Sequence, residues 1–121
     1  MHKILVIEDD KFLKELLVQK LKKEGYEVLE VSEGNEGFKK MKEGKPSLVL
    51  LDLILPGVDG FQVLKAAKED KDTSPIPIVV LSNLGEQNDI EKALKMGAAD
   101  FMIKAHFTPG EVIGRIKTLL G

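Results

Sequence analysis

Hydrophobic positions along the chain fall into two alternating patterns. Ile4-Leu5-Val6-Ile7, Val49-Leu50-Leu51 and Ile78-Val79-Val80-Leu81 are short apolar runs without polar interruption. Such runs suit strands covered on both faces, as in a parallel sheet. Tyr26 to Val31 alternates in part and reads as a further strand, and Phe101-Met102-Ile103 as a short last one. Between them, apolar residues recur at helical spacing. Phe12, Leu13, Leu16, Leu17 and Leu21 mark a first helix with Lys20, Lys22 and Lys23 near its end and Gly25 as its stop. Ser32 is the predicted cap of a second helix that carries Phe38 and Met41 and closes at Gly44, with Lys39, Lys40 and Lys42 as a favourable helix end. Asp59 is placed to cap a third, with Phe61, Leu64 and Ala67 on one face. Pro75 and Pro77 hold the following loop extended. A fourth helix bears Ile90, Ala93 and Leu94 and ends at Gly97. Thr108-Pro109-Gly110-Glu111 is a capping box with proline at the first helical position, opening a last helix with Val112, Ile113, Ile116, Leu119 and Leu120 on one face.

Five strand–helix units in alternation predict an α/β fold, a parallel sheet with right-handed crossovers and helices on both faces. The flavodoxin-like strand order 2-1-3-4-5 is expected, with one domain over residues 1–121. In such sheets ligands bind beyond the carboxyl ends of the strands, where strand order reverses. Glu8 and Asp9 end the first strand, Asp52 the third, Ser82 the fourth and Lys104 the fifth, so all five polar groups project from one edge.

Composition narrows the chemistry. The 18 basic and 20 acidic residues give a net charge of -2, which supplies no general attraction to nucleic acid or to an anionic membrane. Cysteine is absent, excluding disulfides, thiolate metal sites and thiol catalysis. No apolar run reaches the roughly 18 residues of a membrane span, and no signal peptide is visible, so a cytoplasmic location without membrane insertion is expected. His2 reads as a solvated terminal side chain and His106 as a loop side chain.

Asp52, at the end of a buried strand, either bonds loop amides or carries chemistry, and taken alone the residue leaves both open. Three crowded carboxylates repel one another unless a cation lies among them. With only oxygen donors available, Mg²⁺ is favoured, or Mn²⁺, over zinc. Lys104 and Ser82 supply a positive charge and a hydroxyl for a phosphate, the elements of a phosphoryl-transfer site.

Four motifs in order, Ile4-Leu5-Val6-Ile7-Glu8-Asp9-Asp10, Leu51-Asp52-Leu53-Ile54-Leu55-Pro56-Gly57-Val58-Asp59-Gly60, Leu81-Ser82 and Phe101-Met102-Ile103-Lys104, resemble the receiver domain of two-component response regulators. The single-domain chemotaxis type is the nearest form, and the likeness covers almost the whole chain. The resemblance implies that Asp52 accepts a phosphoryl group from a phosphohistidine on a sensor histidine kinase or phosphotransfer protein. It implies Mg²⁺ held by Asp9, Asp52 and the Ile54 backbone carbonyl, with Glu8 acting through a water. Lys104 would pair with the phosphoryl group. Ser82 would swing towards it and Phe101 inward, altering the face of the fourth and fifth units; plain core packing is the competing reading of Phe101. The chain would then be a signalling switch and not an enzyme acting on a free substrate. Its kinase would meet the exposed face of the first helix, including Lys14 and Val18. Output would run through a partner protein or an effector region outside the chain, without direct contact to nucleic acid, and receivers can pair through the fourth and fifth units when phosphorylated.

Three departures from the family pattern carry expectations. Ala105 stands where proline usually follows the lysine; a cis bond before a non-proline residue costs ~2.5–4 kcal/mol, so a trans bond and a differently presented lysine are expected. Asn83 is expected to narrow the phosphoryl pocket, and the bulk of Ile54 to slow loss of the phosphoryl group. A phosphorylation-independent binding module is the alternative reading. Haloacid-dehalogenase-like phosphatases are disfavoured because they need a second aspartate where Ile54 stands, and flavodoxin because no phosphate-cradling loop follows the first strand.

Overall fold

Apolar runs that fill a whole strand require a cover on each face, and the computed structural model, which describes residues 2–121, supplies it. Strands β1 (Lys3–Ile7), β2 (Glu27–Val31), β3 (Leu48–Leu51), β4 (Ile78–Ser82) and β5 (Asp100–Ile103) alternate with helices α1 (Lys11–Lys23), α2 (Gly34–Gly44), α3 (Gly60–Glu69), α4 (Gln87–Lys95) and α5 (Pro109–Leu120). All pairings are parallel, in the order β2-β1-β3-β4-β5. This is the predicted flavodoxin-like arrangement.

Alternate side chains of each strand enter different layers. Leu5, Ile7, Val49, Leu51, Ile78 and Val80 join Met41 of α2, Val63, Leu64 and Ala67 of α3 and Ala93 of α4. Ile4, Val6, Leu48, Leu50, Val79 and Leu81 join Leu17, Val18 and Leu21 of α1 and Val112, Ile113 and Ile116 of α5. Each such side chain contributes about 1.5–3 kcal/mol when fully buried. Two separate half-cores therefore clamp one sheet.

Several local expectations shift. Ser32 does not cap α2: Glu33 occupies the cap position without a side-chain bond, while Ser32 Oγ takes a hydrogen bond from Lys14 Nζ. α2 closes at Gly44 as expected, and Lys45 beyond it adopts the left-handed conformation (φ 44°). On α1, Phe12 and Leu16 are 85 % and 41 % exposed, so the buried stripe is Leu17, Val18 and Leu21. Val18 is thus a core residue and not part of an exposed docking face. Leu94 and Leu119 also face solvent. By contrast Asp59 caps α3 as predicted, with Gln62 completing a capping box, and the Thr108–Glu111 capping box forms as expected.

Among the described residues no helix is long and apolar enough to cross a membrane.

Candidate functional site

The carboxyl ends of β1 and β3 lie side by side, with Ile7 paired to Leu51, so the next residues, Glu8 and Asp52, meet at the edge. The turn that follows is set by Gly60. A Cβ there would lie 2.4 Å from the Asp52 carbonyl oxygen, so only glycine lets α3 start this close to the Asp52 backbone. Asp10 caps α1 through Leu13 N–H (3.1 Å), and its own amide donates to Glu8 Oε2 (3.0 Å). Both elements hold their carboxylates by backbone contacts, before any cation is considered.

Lys104 enters from β5, at the start of a single 3₁₀ turn over Lys104–His106. Its Nζ donates to Asp52 Oδ2 at 2.8 Å and stands 2.9 Å from Glu8 Oε1. The Ile54 amide donates to Asp52 Oδ1 at 3.1 Å. Glu8 and Asp52 are almost fully buried, at 2 % and 3 % exposure, whereas Asp9 is open to solvent. Oxygen atoms of Glu8, Asp9 and Asp52 all lie within 4.8 Å of one another. Three carboxylates against one ammonium leave unbalanced negative charge in an all-oxygen donor set, which fits a hard divalent cation.

Burial pushes the Glu8 carboxyl up to about 7, an effect that the Asp10 amide and Lys104 only partly oppose. Burial pulls the Lys104 ammonium down, but the hydrogen bonds and charges of Asp52 and Glu8 outweigh it and leave the group raised. Glu8 is the deeper group and shares its lysine with Asp52, so burial outweighs the ion pair and its carboxyl is raised.

A cleft of about 320 Å³ opens here, lined by Asp9, Asp10, Asp52, Ile54, Asn83 and Lys104. Asn83 lines it, in keeping with the expected narrowing of the pocket, whereas Asp10 was not expected there; the run of three acids at Glu8-Asp9-Asp10 was the available signal for Asp10. Ser82 does not line the cleft. It is fully buried, and its hydroxyl accepts from the Leu84 amide at 3.3 Å. Phe101 is half-buried against the α2–α3–α4 layer. Among the described residues no peptide bond is cis, so Lys104–Ala105 is trans as expected. The lysine nonetheless reaches Asp52, so Ala105 does not displace it.

Residues 4–117 match the response regulator receiver domain family. The chain belongs to this family. It is a receiver domain of two-component response regulators, whose role is to accept a phosphoryl group. The receiver is 39% identical over 118 residues, 98% of its length, to the alkaline phosphatase synthesis transcriptional regulatory protein PhoP of Bacillus subtilis, of which that stretch is 48%. The chain thus spans about half the length of this relative. Among solved structures it is similar to the BeF₃-activated N-terminal receiver domain of Klebsiella pneumoniae RstA, with a TM-score of 0.87 and 30% identity over 98% of this chain and 97% of that one. The Mn²⁺-bound form of response regulator Rcp1 is similar at a TM-score of 0.77 and 28% identity, over 86% of this chain and 81% of that one.

Proposed function

We propose that Asp52 is the phospho-acceptor of this receiver, and that Lys104, Glu8 and Asp9 complete its transfer site. The carrying observation is the Lys104 ammonium, bonded to Asp52 Oδ2 at 2.8 Å and to Glu8 at the floor of a cleft that Asp9 also lines. An Asp52 carboxylate oxygen attacks the phosphorus of a kinase phosphohistidine; the P–O bond forms as the P–N bond breaks, and the imidazole leaves with the bonding electrons. Lys104 balances charge on the transferring oxygens and then pairs with the phosphoryl group. The Ile54 amide, bonded to the other Asp52 oxygen, holds the nucleophile in orientation.

Asp9, Asp52 and the Ile54 carbonyl are the residues that would hold Mg²⁺, with Mn²⁺ as a substitute and Glu8 bonding through water. Bound there, the ion supplies charge neutralisation for the incoming phosphate. Ser82 and Phe101 are assigned the switch. Ser82 must give up its Leu84 contact to reach a phosphoryl group, which loosens the loop into α4. The bulk of Ile54, half-exposed at the cleft, slows attack by water on the aspartyl phosphate. The kinase face is reassigned on α1 from Val18 to the exposed Phe12 and Leu16 beside the acidic loop, with Lys14 at its margin. A cytoplasmic location, a single domain over this chain, output through a partner or effector region, absence of turnover on free substrates and phosphorylation-dependent pairing through α4, β5 and α5 belong to the same reading.

The test is intact mass after incubation with acetyl phosphate and Mg²⁺. One phosphoryl group should be gained by the protein and not by Asp52→Asn, and the gain should vanish in a chelator. A gain that survives in Asp52→Asn would overturn the assignment.

A further inference from the structure

The widest cavity among those described, about 530 Å³, lies away from the cleft, between α3 and α4. It is lined by Asp59, Phe61, Gln62 and Lys65 of the α3 end and by Lys92 and Met96 of the α4 end. Phe61 and Lys65 are one turn apart on α3, and Lys92 and Met96 one turn apart across the end of α4, so each wall pairs one cation with one apolar side chain. The Phe61 ring is half-buried, and the Lys92 ammonium lies over it, 4.2 Å from the ring centroid. Among the described residues neither Lys65 nor Lys92 has a carboxylate partner. At the groove's end, Asp59 and Gln62 use one oxygen each in the capping box, through bonds of 3.0 and 3.1 Å, which leaves the Gln62 amide N–H groups and the second Asp59 oxygen uncommitted.

An aromatic face, two unpaired cations and a donor–acceptor pair in a cavity of small-molecule size make a specific combination. The flat ring recognises a π-system, the ammonium groups a phosphate, and Gln62 with Asp59 the polar edge of a base. We propose that the α3–α4 groove binds a nucleoside phosphate: the base stacks on Phe61, Lys92 turns from the ring to the phosphate, and Lys65 closes on it from the opposite wall. Exposed cation–π contacts are weak, so an anion that offers Lys92 a charge-assisted bond can draw it off the ring. The volume suits one nucleotide and is too small for a docked helix. This proposal does not depend on the phosphoryl-acceptor reading, because none of its residues lines the Asp52 cleft.

The experiment is an amide ¹H–¹⁵N titration of the whole protein, in chelator, with each of the four common nucleoside monophosphates and with ribose 5-phosphate. At least one nucleotide should give saturable shifts centred on residues 59–65 and 92–96, and ribose 5-phosphate should bind about tenfold more weakly for lack of the stack. Phe61→Leu keeps an apolar side chain against the core, and Lys92→Gln changes an exposed position; each should weaken binding about tenfold with the spectrum otherwise preserved. Equal binding of ribose 5-phosphate would mean charge attraction only and overturns the proposal. So does unaltered binding in Lys92→Gln, or the absence of saturation with all four nucleotides.

Discussion

Helices α4 and α5 flank β5 on opposite faces of the sheet, yet they are held very differently. α5 opens on Pro109 and a complete capping box and buries Val112, Ile113 and Ile116. α4 has no side-chain cap at Glu86 and buries only Ala93, with Leu94 46 % exposed. A cap is worth about 1 kcal/mol and each buried aliphatic side chain about 1.5–3 kcal/mol, so displacing α4 costs far less than displacing α5. The loop into α4 begins at Ser82, while β5 and α5 frame Lys104. On the proposed function, Lys104 is framed by the firmly packed helix, and the loop that would respond leads into the loosely packed one.

The largest effect should come from placing a charge in each half. Val18→Asp, in the α1–α5 layer, is expected to cost about 3 kcal/mol or more because the carboxylate has no partner there, whereas Leu94→Asp should change stability by about 0.5 kcal/mol or less. Urea unfolding of both variants checks this, and equal losses would erase the contrast. Next comes Glu8. Its folded value of about 7 lies above the 4.5 of the free carboxyl, so the folded state binds the proton more tightly. That contribution is complete below the free value and is lost as pH rises through about 7, an effect on the order of 2 kcal/mol in metal-free solution. Glu8→Gln should flatten the profile between pH 5 and 8 in denaturant titrations.

Caps sharpen the comparison at smaller scale. Thr108→Ala should lose about 1 kcal/mol, and Glu86→Asp, which offers α4 a cap it lacks, should gain a few tenths and slow amide exchange in α4 alone. Unchanged exchange after Glu86→Asp would show that α4 is limited by packing. Gly114→Ala tests the packing of α5 from its solvent side. A Cβ there meets nothing within 4 Å, so Ala should stabilise α5 by about 0.5–1 kcal/mol, read as a modest rise in Tm.

The parts of the molecule legible from residues are those governed by nearest neighbours. Continuous apolar runs at Ile4–Ile7 and Ile78–Leu81 marked strands covered on both faces, and Thr108 with Glu111 marked a cap, because a side chain three residues from its partner needs no tertiary context. Failures occurred where two local choices were nearly equal. Apolar residues at 12, 13, 16, 17, 18 and 21 encircle too much of α1 to show which stripe faces inward, so Phe12 and Val18 exchanged roles. Glu33 takes the cap position, and the Ser32 hydroxyl is engaged by Lys14, a partner 18 residues away that no local pattern shows. At the site, the strand-end acids and Lys104 were visible as polar groups ending apolar runs. Asp10 was missed because cleft lining depends on how loops fold over the edge.

By itself the sequence determined the alternation of five strands and five helices, and with parallel pairing the edge on which Glu8, Asp9, Asp52 and Lys104 would stand, since periodicity and chain direction are local properties. Tertiary structure alone decided that Lys104 Nζ lies 2.8 Å from a carboxylate 52 residues away, that burial pushes the Glu8 carboxyl up to about 7, and that Ser82 is engaged by Leu84 instead of the cleft. Those outcomes depend on sheet register and on the exclusion of water by both layers at once, which no local stretch of the chain encodes.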